Sequence, residues 1–305
     1  MSSTRRYGGL FLKGFAMGAA NVIPGVSGGT IAFITGIYED FIGSIKSFDA
    51  DAIKLFFQGK FAAFADHVNL RFLLSVVAGM AVSTFSLAFV ITWLFETQEI
   101  LTTAFFFGLI IASVYLVGKQ VAKWSPLSII MLLIGVAIAV GIAFLKPASE
   151  NAGFLYLIVC GVVAICSMIL PGLSGSYVLL IMGNYLLILN AVKDMNIGII
   201  VPVAIGCLVG LAIFSRVIAY IFSHFRDGTI ALLTGFVLGS LLIIWPWKNT
   251  ITRTETLADG ELKEVIVRYE QFMPAMDADF GIALAIIILG ALSVIAIEKL
   301  GSGKN

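Results

Sequence analysis

Long apolar stretches alternate with short charged segments along most of the chain. Six of these stretches stay apolar over the ~18 or more residues that a helix needs to cross a bilayer. Their length predicts transmembrane α-helices. The predicted spans are residues 72–95, 100–118, 127–145, 195–222, 228–247 and 280–298.

Composition supports this interpretation, because charges are scarce throughout. Hydrophobic residues make up 60% of the 305 residues, charged residues make up 12%, and the mean hydropathy is +1.05. So few charges do not cover the surface of a soluble domain. The net charge of +1 gives a nucleic-acid partner no electrostatic support. We therefore predict an all-α polytopic membrane protein with no metal site, cofactor or nucleic-acid partner.

Two further apolar stretches are interrupted by the same short motif. NVIPGVSGGT occupies residues 21–30 and MILPGLSGSY occupies residues 168–177, so both contain P-G-x-S-G. Proline disfavours a helix at the residue before it, and glycine tolerates unusual backbone angles. Each motif should therefore end one helix and begin another, giving hairpins at 10–45 and 152–192. Each hairpin is either re-entrant or a pair of short, tilted crossings, and both versions return the chain to its starting side.

The distribution of lysine and arginine predicts the orientation in the membrane. These residues concentrate in the segments that share a side with the N-terminus, whereas the opposite segments are acidic. Because positive charges favour the cytoplasmic side, both termini should be cytoplasmic.

Residues 47–70 form a charged segment that also contains five phenylalanines. This mixture favours an amphipathic helix on the inner membrane surface. A solvated connector helix is an equally good interpretation of the same pattern.

The chain also repeats itself as a whole. A shift of 147 residues aligns the two motifs, and a shift of 127 aligns the spans that follow, including glycines that we expect to pack helices closely. The predicted halves are 1–148 and 149–305, each with one hairpin and three spans. Because three is an odd number of crossings, the second half should be inverted, as in many secondary transporters. The aligned glycines are Gly79 with Gly206 and Gly108 with Gly235.

Two hairpins that enter from opposite faces would bring two helix N-termini together near the middle of the membrane. Such ends carry unpaired N–H groups and a partial positive charge, which suit an anion such as phosphate or carboxylate. Ser27 and Ser174 add hydroxyl donors. This reasoning predicts a transporter that handles an anion.

Ionisable residues within the apolar regions are further candidates. Arg216 follows 21 uncharged residues and is predicted to contact the anion from within the bilayer; a snorkelling or structurally paired arginine is the alternative. Glu39 and Asp40 close the first hairpin, where they would carry a coupling ion, pair with Arg71 or Arg216, or simply lie at the membrane rim. Lys13 and Arg71 are candidate phosphate contacts near the inner interface.

The two motifs, with GIYE at 36–39 and WPW at 245–247, resemble the bacterial polyprenyl-phosphate transporter family. The resemblance implies recycling of undecaprenyl phosphate across the bacterial cytoplasmic membrane, in a flippase-like manner and without enzymatic activity. A proton or sodium ion is the possible coupling ion. The predicted phosphate-binding set is Asn21, Pro24, Gly25, Ser27, Gly28, Gly29, Thr30, Pro171, Gly172, Ser174, Gly175, Ser176 and Arg216, with Glu39, Asp40, Arg71 and Lys13 in coupling or gating.

Two other functions fit parts of the pattern. A secondary transporter of a small soluble anion would use the same helix ends. An intramembrane serine hydrolase would use the G-x-S-x-G string at 25–29, but the second motif lacks that pattern and neither histidine has an evident partner near a motif serine.

Overall fold

The computed structural model describes residues 3–22, 27–256 and 262–302. Within these ranges the chain is mainly helical, with one antiparallel pair of strands after the thirteenth helix. The elements are α1 (Ser3–Val22), α2 (Gly28–Ile34), α3 (Tyr38–Lys46), α4 (Ala50–Phe57), α5 (Phe61–His67), α6 (Leu70–Thr97), α7 (Glu99–Gly118), α8 (Pro126–Ala143), α9 (Phe154–Ile169), α10 (Gly175–Ile181), α11 (Tyr185–Lys193), α12 (Ile197–His224), α13 (Arg226–Ser240), β1 (Lys248–Thr256), β2 (Leu262–Gln271) and α14 (Ala278–Ser302).

Five described helices are long and apolar enough to cross a membrane, namely α6, α7, α8, α12 and α14. The bent pair α10 and α11 makes a sixth if it is counted as one span. These helices confirm a multi-pass, mainly helical membrane protein. The predicted span 228–247 is longer at its end than the observed helix, because α13 ends at Ser240. Pro246 lies within the predicted span and disfavours helix at the residue before it.

The second motif separates two helices, as its proline predicts. α9 ends at Ile169 and α10 begins at Gly175. Each half then has another break, at Gly36 (φ +69°) between α2 and α3 and at Gly183 (φ +76°) between α10 and α11. Glycine adopts this left-handed conformation at little cost. The bend of 114° between α10 and α11 was not predicted from the sequence.

Glycines lie where pairs of long helices cross. A Cβ atom on any of them would overlap the backbone of the facing helix, so these sites let the helices approach closely. The packing role predicted for four of them is therefore confirmed. The crossings are Gly14 and Gly79 between α1 and α6, Gly161 and Gly206 between α9 and α12, Gly108 and Gly290 between α7 and α14, and Gly135 and Gly235 between α8 and α13.

The mainly helical fold agrees with the predicted all-α class, and the strands β1 and β2 add one short antiparallel pair to it. They pair antiparallel from Lys248↔Gln271 to Thr256↔Leu262, with an irregularity between Ile251 and Thr252. No strand was predicted in this segment. β1 contains alternating threonines and β2 the run Val-Ile-Val, residue types that favour strands.

Candidate functional site

The start of α2 is stabilised by side chains of the first motif. Ser27 has an extended backbone and caps the helix, its Oγ accepting a hydrogen bond from the Gly29 amide at 3.1 Å. The Gly28 amide donates to Asn21 Oδ1 at 2.7 Å, and the Thr30 amide donates to the Ser27 carbonyl at 3.0 Å. The amides of this first turn are thus satisfied within the protein. Pro24 and Gly25 lie outside the described residues.

The two motifs touch each other in the buried interior. The Ser27 hydroxyl lies 3.1 Å from the Leu170 carbonyl and 3.2 Å from the Met168 carbonyl, and both oxygens are available as acceptors. In return, the Gly172 amide donates to Thr30 Oγ1 at 3.0 Å. Ser27 and Thr30 are almost fully buried, at 1% and 0% exposure. The motifs therefore form one polar junction, although they lie more than 140 residues apart in the sequence.

Gly172 fixes the second motif against α13. Its φ is +83°, and a Cβ atom there would lie 2.5 Å from the backbone of Phe236 and of Val237. No other side chain fits that space, so the turn is held between α2 and α13. Pro171 is buried in the same turn.

The start of α10 differs from the start of α2 in its capping. Ser174 makes no hydrogen bond to a helix amide and instead contacts Ser176, with 2.8 Å between the two Oγ atoms. Met168 occupies the position that corresponds to Asn21, and its thioether lies near Gly175. Within the described residues, the amides of Gly175 and Ser176 have no hydrogen-bond partner. Since Ser176 is also partly exposed, this turn keeps donors available for a ligand.

Arg216 lies away from the motif junction. It is on an exposed face of α12, where its guanidinium donates to the Ala212 carbonyl and, at 3.2 Å, to the Phe48 carbonyl between α3 and α4. These contacts match the structurally paired arginine that was the alternative interpretation. Its predicted contact with an anion stays a prediction.

Glu39 pairs with a residue that the sequence analysis did not consider. Its Oε1 lies 2.9 Å from Nη2 of Arg226, so the ion pair joins α3 to the start of α13. The pairing with Arg71 or Arg216 that was considered is not found; Arg71 is exposed in the first turn of α6. Asp40 is also exposed beside Glu39. Arg226 was overlooked because a charge at the start of a span ordinarily indicates only the membrane interface.

Lys13 interacts with the far end of α2. Its Nζ donates to the Thr35 carbonyl at 2.6 Å, and Gln120 Nε2 donates to the Phe33 carbonyl at 3.4 Å. A cation is stabilised at a helix C-terminus, where carbonyl groups lack partners. Lys13 thus supports the hairpin that carries the first motif, and its predicted phosphate contact stays untested.

Both histidines have partners outside the motif junction. His67 Nε2 lies 3.1 Å from Asp49 Oδ1, and His224 Nδ1 lies 2.9 Å from the Ser223 hydroxyl. The Ser27 hydroxyl is directed to main-chain carbonyls. The described arrangement therefore pairs neither motif serine with an imidazole base.

A cavity of about 390 Å³ lies elsewhere, beside the base of the β-hairpin. Trp247, Phe272 and Phe280 form its apolar wall, and Asp277 and Asp279 give it an acidic rim. None of its lining residues belongs to a P-G-x-S-G motif. An acidic rim disfavours a phosphate group, so the motif junction remains the better candidate for an anion.

Comparison with known proteins supports the resemblance that the motifs indicate. The profile of a family described as undecaprenyl phosphate translocase-like matches residues 17–261. A polyprenyl-phosphate transporter of Vibrio cholerae is 37% identical over 301 residues, which cover 97% of each chain. A polyprenyl-phosphate transporter of Staphylococcus aureus is 33% identical over 253 residues, which cover 77% of this chain and 85% of the relative. No solved structure matches the chain.

Proposed function

The chain belongs to the undecaprenyl phosphate translocase-like family, and from this premise we propose that it carries undecaprenyl phosphate or a similar polyprenyl phosphate across the bacterial cytoplasmic membrane. The names of two relatives, both polyprenyl-phosphate transporters, support this substrate. The apolar spans provide the multi-pass frame that such a transporter needs.

The observation that carries the proposal is the contact between the two motifs. The Ser27 hydroxyl contacts carbonyls of the second motif, and the Gly172 amide contacts Thr30 of the first. Two broken hairpins have no packing advantage over unbroken helices, because each break leaves backbone groups to be satisfied. A ligand that accepts hydrogen bonds would satisfy backbone donors that these breaks leave unpaired.

The phosphate is held, in this proposal, at the start of α10. The hydroxyls of Ser174 and Ser176 and the amides of Gly175 and Ser176 supply donors on one turn. Hydrogen bonds to an ionised acceptor are roughly twice as strong as those between neutral groups. The first motif then acts mainly as the rigid support, because its own donors are already paired.

The order of elements supports an inverted repeat of residues 1–148 and 149–305. α2 and α10 have seven residues, α3 and α11 have nine, and α6 and α12 have 28. α1 packs on α6 as α9 packs on α12, while α7 and α8 of the first half pack on α14 and α13 of the second. A two-fold relation between the halves produces this arrangement, in which α7 and α8 of one half pack on helices of the other half. We infer alternating access around the motif junction, with both termini cytoplasmic.

A binding experiment on purified protein tests the proposal. We expect Ser174→Ala/Ser176→Ala to weaken undecaprenyl phosphate binding by roughly 10-fold or more, because two hydrogen bonds to a charged group are lost. Ser86→Ala is the matched control, since Ser86 is exposed on α6 and bonds only its own helix. Native mass spectrometry gives the affinities, and movement of a fluorescent polyprenyl phosphate between liposome leaflets gives transport.

Three outcomes contradict the proposal. Equal lipid affinity of the double variant and the Ser86→Ala control removes the second motif from the site. Equal binding of inorganic phosphate and the lipid by the wild type indicates a transporter of small soluble anions. Release of free phosphate from the lipid during the assay indicates a hydrolase.

A further inference from the structure

The helices α4 and α5 expose a cluster of aromatic rings that no other described element covers. Phe56 is at the centre, with its ring centroid 5.5–5.8 Å from those of Phe57, Phe61 and Phe64, and Phe48 adjoins Phe64 at 6.3 Å. Phe57 is 83% exposed and Phe61 is 61% exposed. An exposed apolar cluster of this kind marks a surface that contacts a protein or a membrane.

The two helices form a closed unit, here called the phenylalanine hairpin (residues 48–67). Asp49 caps α4 by accepting from the amides of Asp51 and Ala52 at 3.0 Å. The same Asp49 Oδ1 lies 3.1 Å from His67 Nε2 at the end of α5. The hairpin is therefore a defined structure with its aromatic face outward.

The phenylalanine hairpin lies next to a candidate span. α5 ends at His67 and α6 begins at Leu70, so the hairpin ends within about one helical turn of the point where the chain enters the apolar region. The Arg216 guanidinium also binds the Phe48 carbonyl and ties the hairpin to α12. Both contacts hold the aromatic face beside the membrane boundary. The second half has no equivalent, since α11 and α12 are joined by only three residues, 194–196.

Charged residues around the cluster favour an anionic surface. The segment 46–71 has four basic and three acidic side chains. One acidic group, Asp49, is occupied by its cap and by His67. The four basic residues are exposed or partly exposed, namely Lys46, Lys54, Lys60 and Arg71.

We propose that the phenylalanine hairpin is an anchor that lies in the interface of one membrane leaflet, with its aromatic rings among the acyl chains and its basic residues against anionic headgroups. Neither helix is long enough to cross a bilayer, with eight and seven residues. Short amphipathic helices with phenylalanine on one face and lysine nearby bind in this plane. The anchor holds the α3–α6 connection and leaves the second half free of such a restraint.

Site-directed spin labelling of the full-length protein in nanodiscs tests this anchor. A nitroxide is attached at Phe57→Cys after replacement of the three native cysteines, Cys160, Cys166 and Cys207, by alanine. Asp51→Cys is the matched control, because Asp51 is exposed on another face of the same helix. We expect the label at 57 to be relaxed more by oxygen than by a water-soluble nickel chelate, and the label at 51 to show the reverse.

Each other outcome overturns the proposal. Equal access of the nickel chelate to both labels means that the hairpin is solvated. Dipolar broadening between labels at 57 means that a second copy of the chain covers the face. An unchanged depth of the label at 57 when acidic lipid is replaced by phosphatidylcholine removes the role of anionic headgroups. Phospholipid binding by the anchor does not depend on the polyprenyl phosphate site, so failure here leaves the proposed transport unaffected.

Discussion

Asn21 and Met168 occupy equivalent positions, seven residues before the first glycine of α2 and of α10. The Asn21 side chain accepts the Gly28 amide, whereas the thioether of Met168 leaves the Gly175 amide without a partner in the described chain. This difference, together with the contact of Ser174 with Ser176 in place of a cap, separates a satisfied helix end from an available one. In the proposed function the repeated motif consequently has two roles, support in the first half and ligand binding in the second.

Replacement of Ser27 tests the supporting role. Ser27→Ala removes the α2 cap and the contacts to Met168 and Leu170, so we expect a loss of about 1–3 kcal/mol in unfolding free energy. Lipid affinity of the folded variant should stay close to that of the wild type. Thermal unfolding in detergent and the binding assay are the two measurements. A stable variant that no longer binds lipid would show that the Ser27 hydroxyl is itself a ligand.

The sequence identified the motif residues but not their partners. Serine and glycine at a break in an apolar run indicate a functional turn, whereas the carbonyl that Ser27 meets lies 143 residues away and has no side-chain signature. The depth of Arg216 was inferred from the length of the uncharged run before it. That inference missed the Phe48 carbonyl, because every residue has a backbone carbonyl and the sequence does not indicate which one accepts a hydrogen bond.

At the scale of elements, glycine pairs determine how closely the long helices approach. Gly108 of α7 faces the Ile287 carbonyl of α14, and Gly290 faces the Phe105 carbonyl in return. Each of the four crossings uses the same device. Without a hydrophobic force between helices in lipid, such close packing supplies much of the association energy.

Two glycine substitutions separate packing from helix propensity. Gly108→Ala should lower the unfolding free energy by about 1–3 kcal/mol, because the added methyl group overlaps the α14 backbone. Gly141→Ala, where α8 has open space, should be neutral or stabilising by up to about 1 kcal/mol. Thermal unfolding of both variants in one detergent provides the comparison. Equal effects of the two substitutions would contradict the packing account.

Elements with a strong hydropathy signal were predictable, and irregular ones were not. The continuous helices α6, α7 and α8 follow apolar runs that little else interrupts. The bend at Gly183 was hidden, since one glycine in an apolar run is also compatible with a straight helix. The β-hairpin was missed because β1 is rich in polar residues, which are also typical of an exposed loop.

At the scale of the whole molecule, polar links join segments of the two sequence halves. Glu39 pairs with Arg226, and Asp227 accepts hydrogen bonds from the amides of Ala122 and Lys123, both at 3.0 Å. The motif junction is a further connection between them. Sequence shifts of 147 and 127 predict a repeat of residues 1–148 and 149–305, which stays a proposal. The shifts did not predict which helices of one half would pack against helices of the other. Helix packing depends on which face of each helix meets its neighbour, and all faces of these helices are apolar in sequence.

The central claim is that the second motif, supported by the first, holds a lipid phosphate, and an experimental structure of the protein with bound undecaprenyl phosphate tests it most directly. The account predicts phosphate oxygens within about 3 Å of the Ser174 and Ser176 hydroxyls and of the Gly175 amide. Phosphate in the cavity beside Trp247, or against Arg216 with the start of α10 unoccupied, would contradict it.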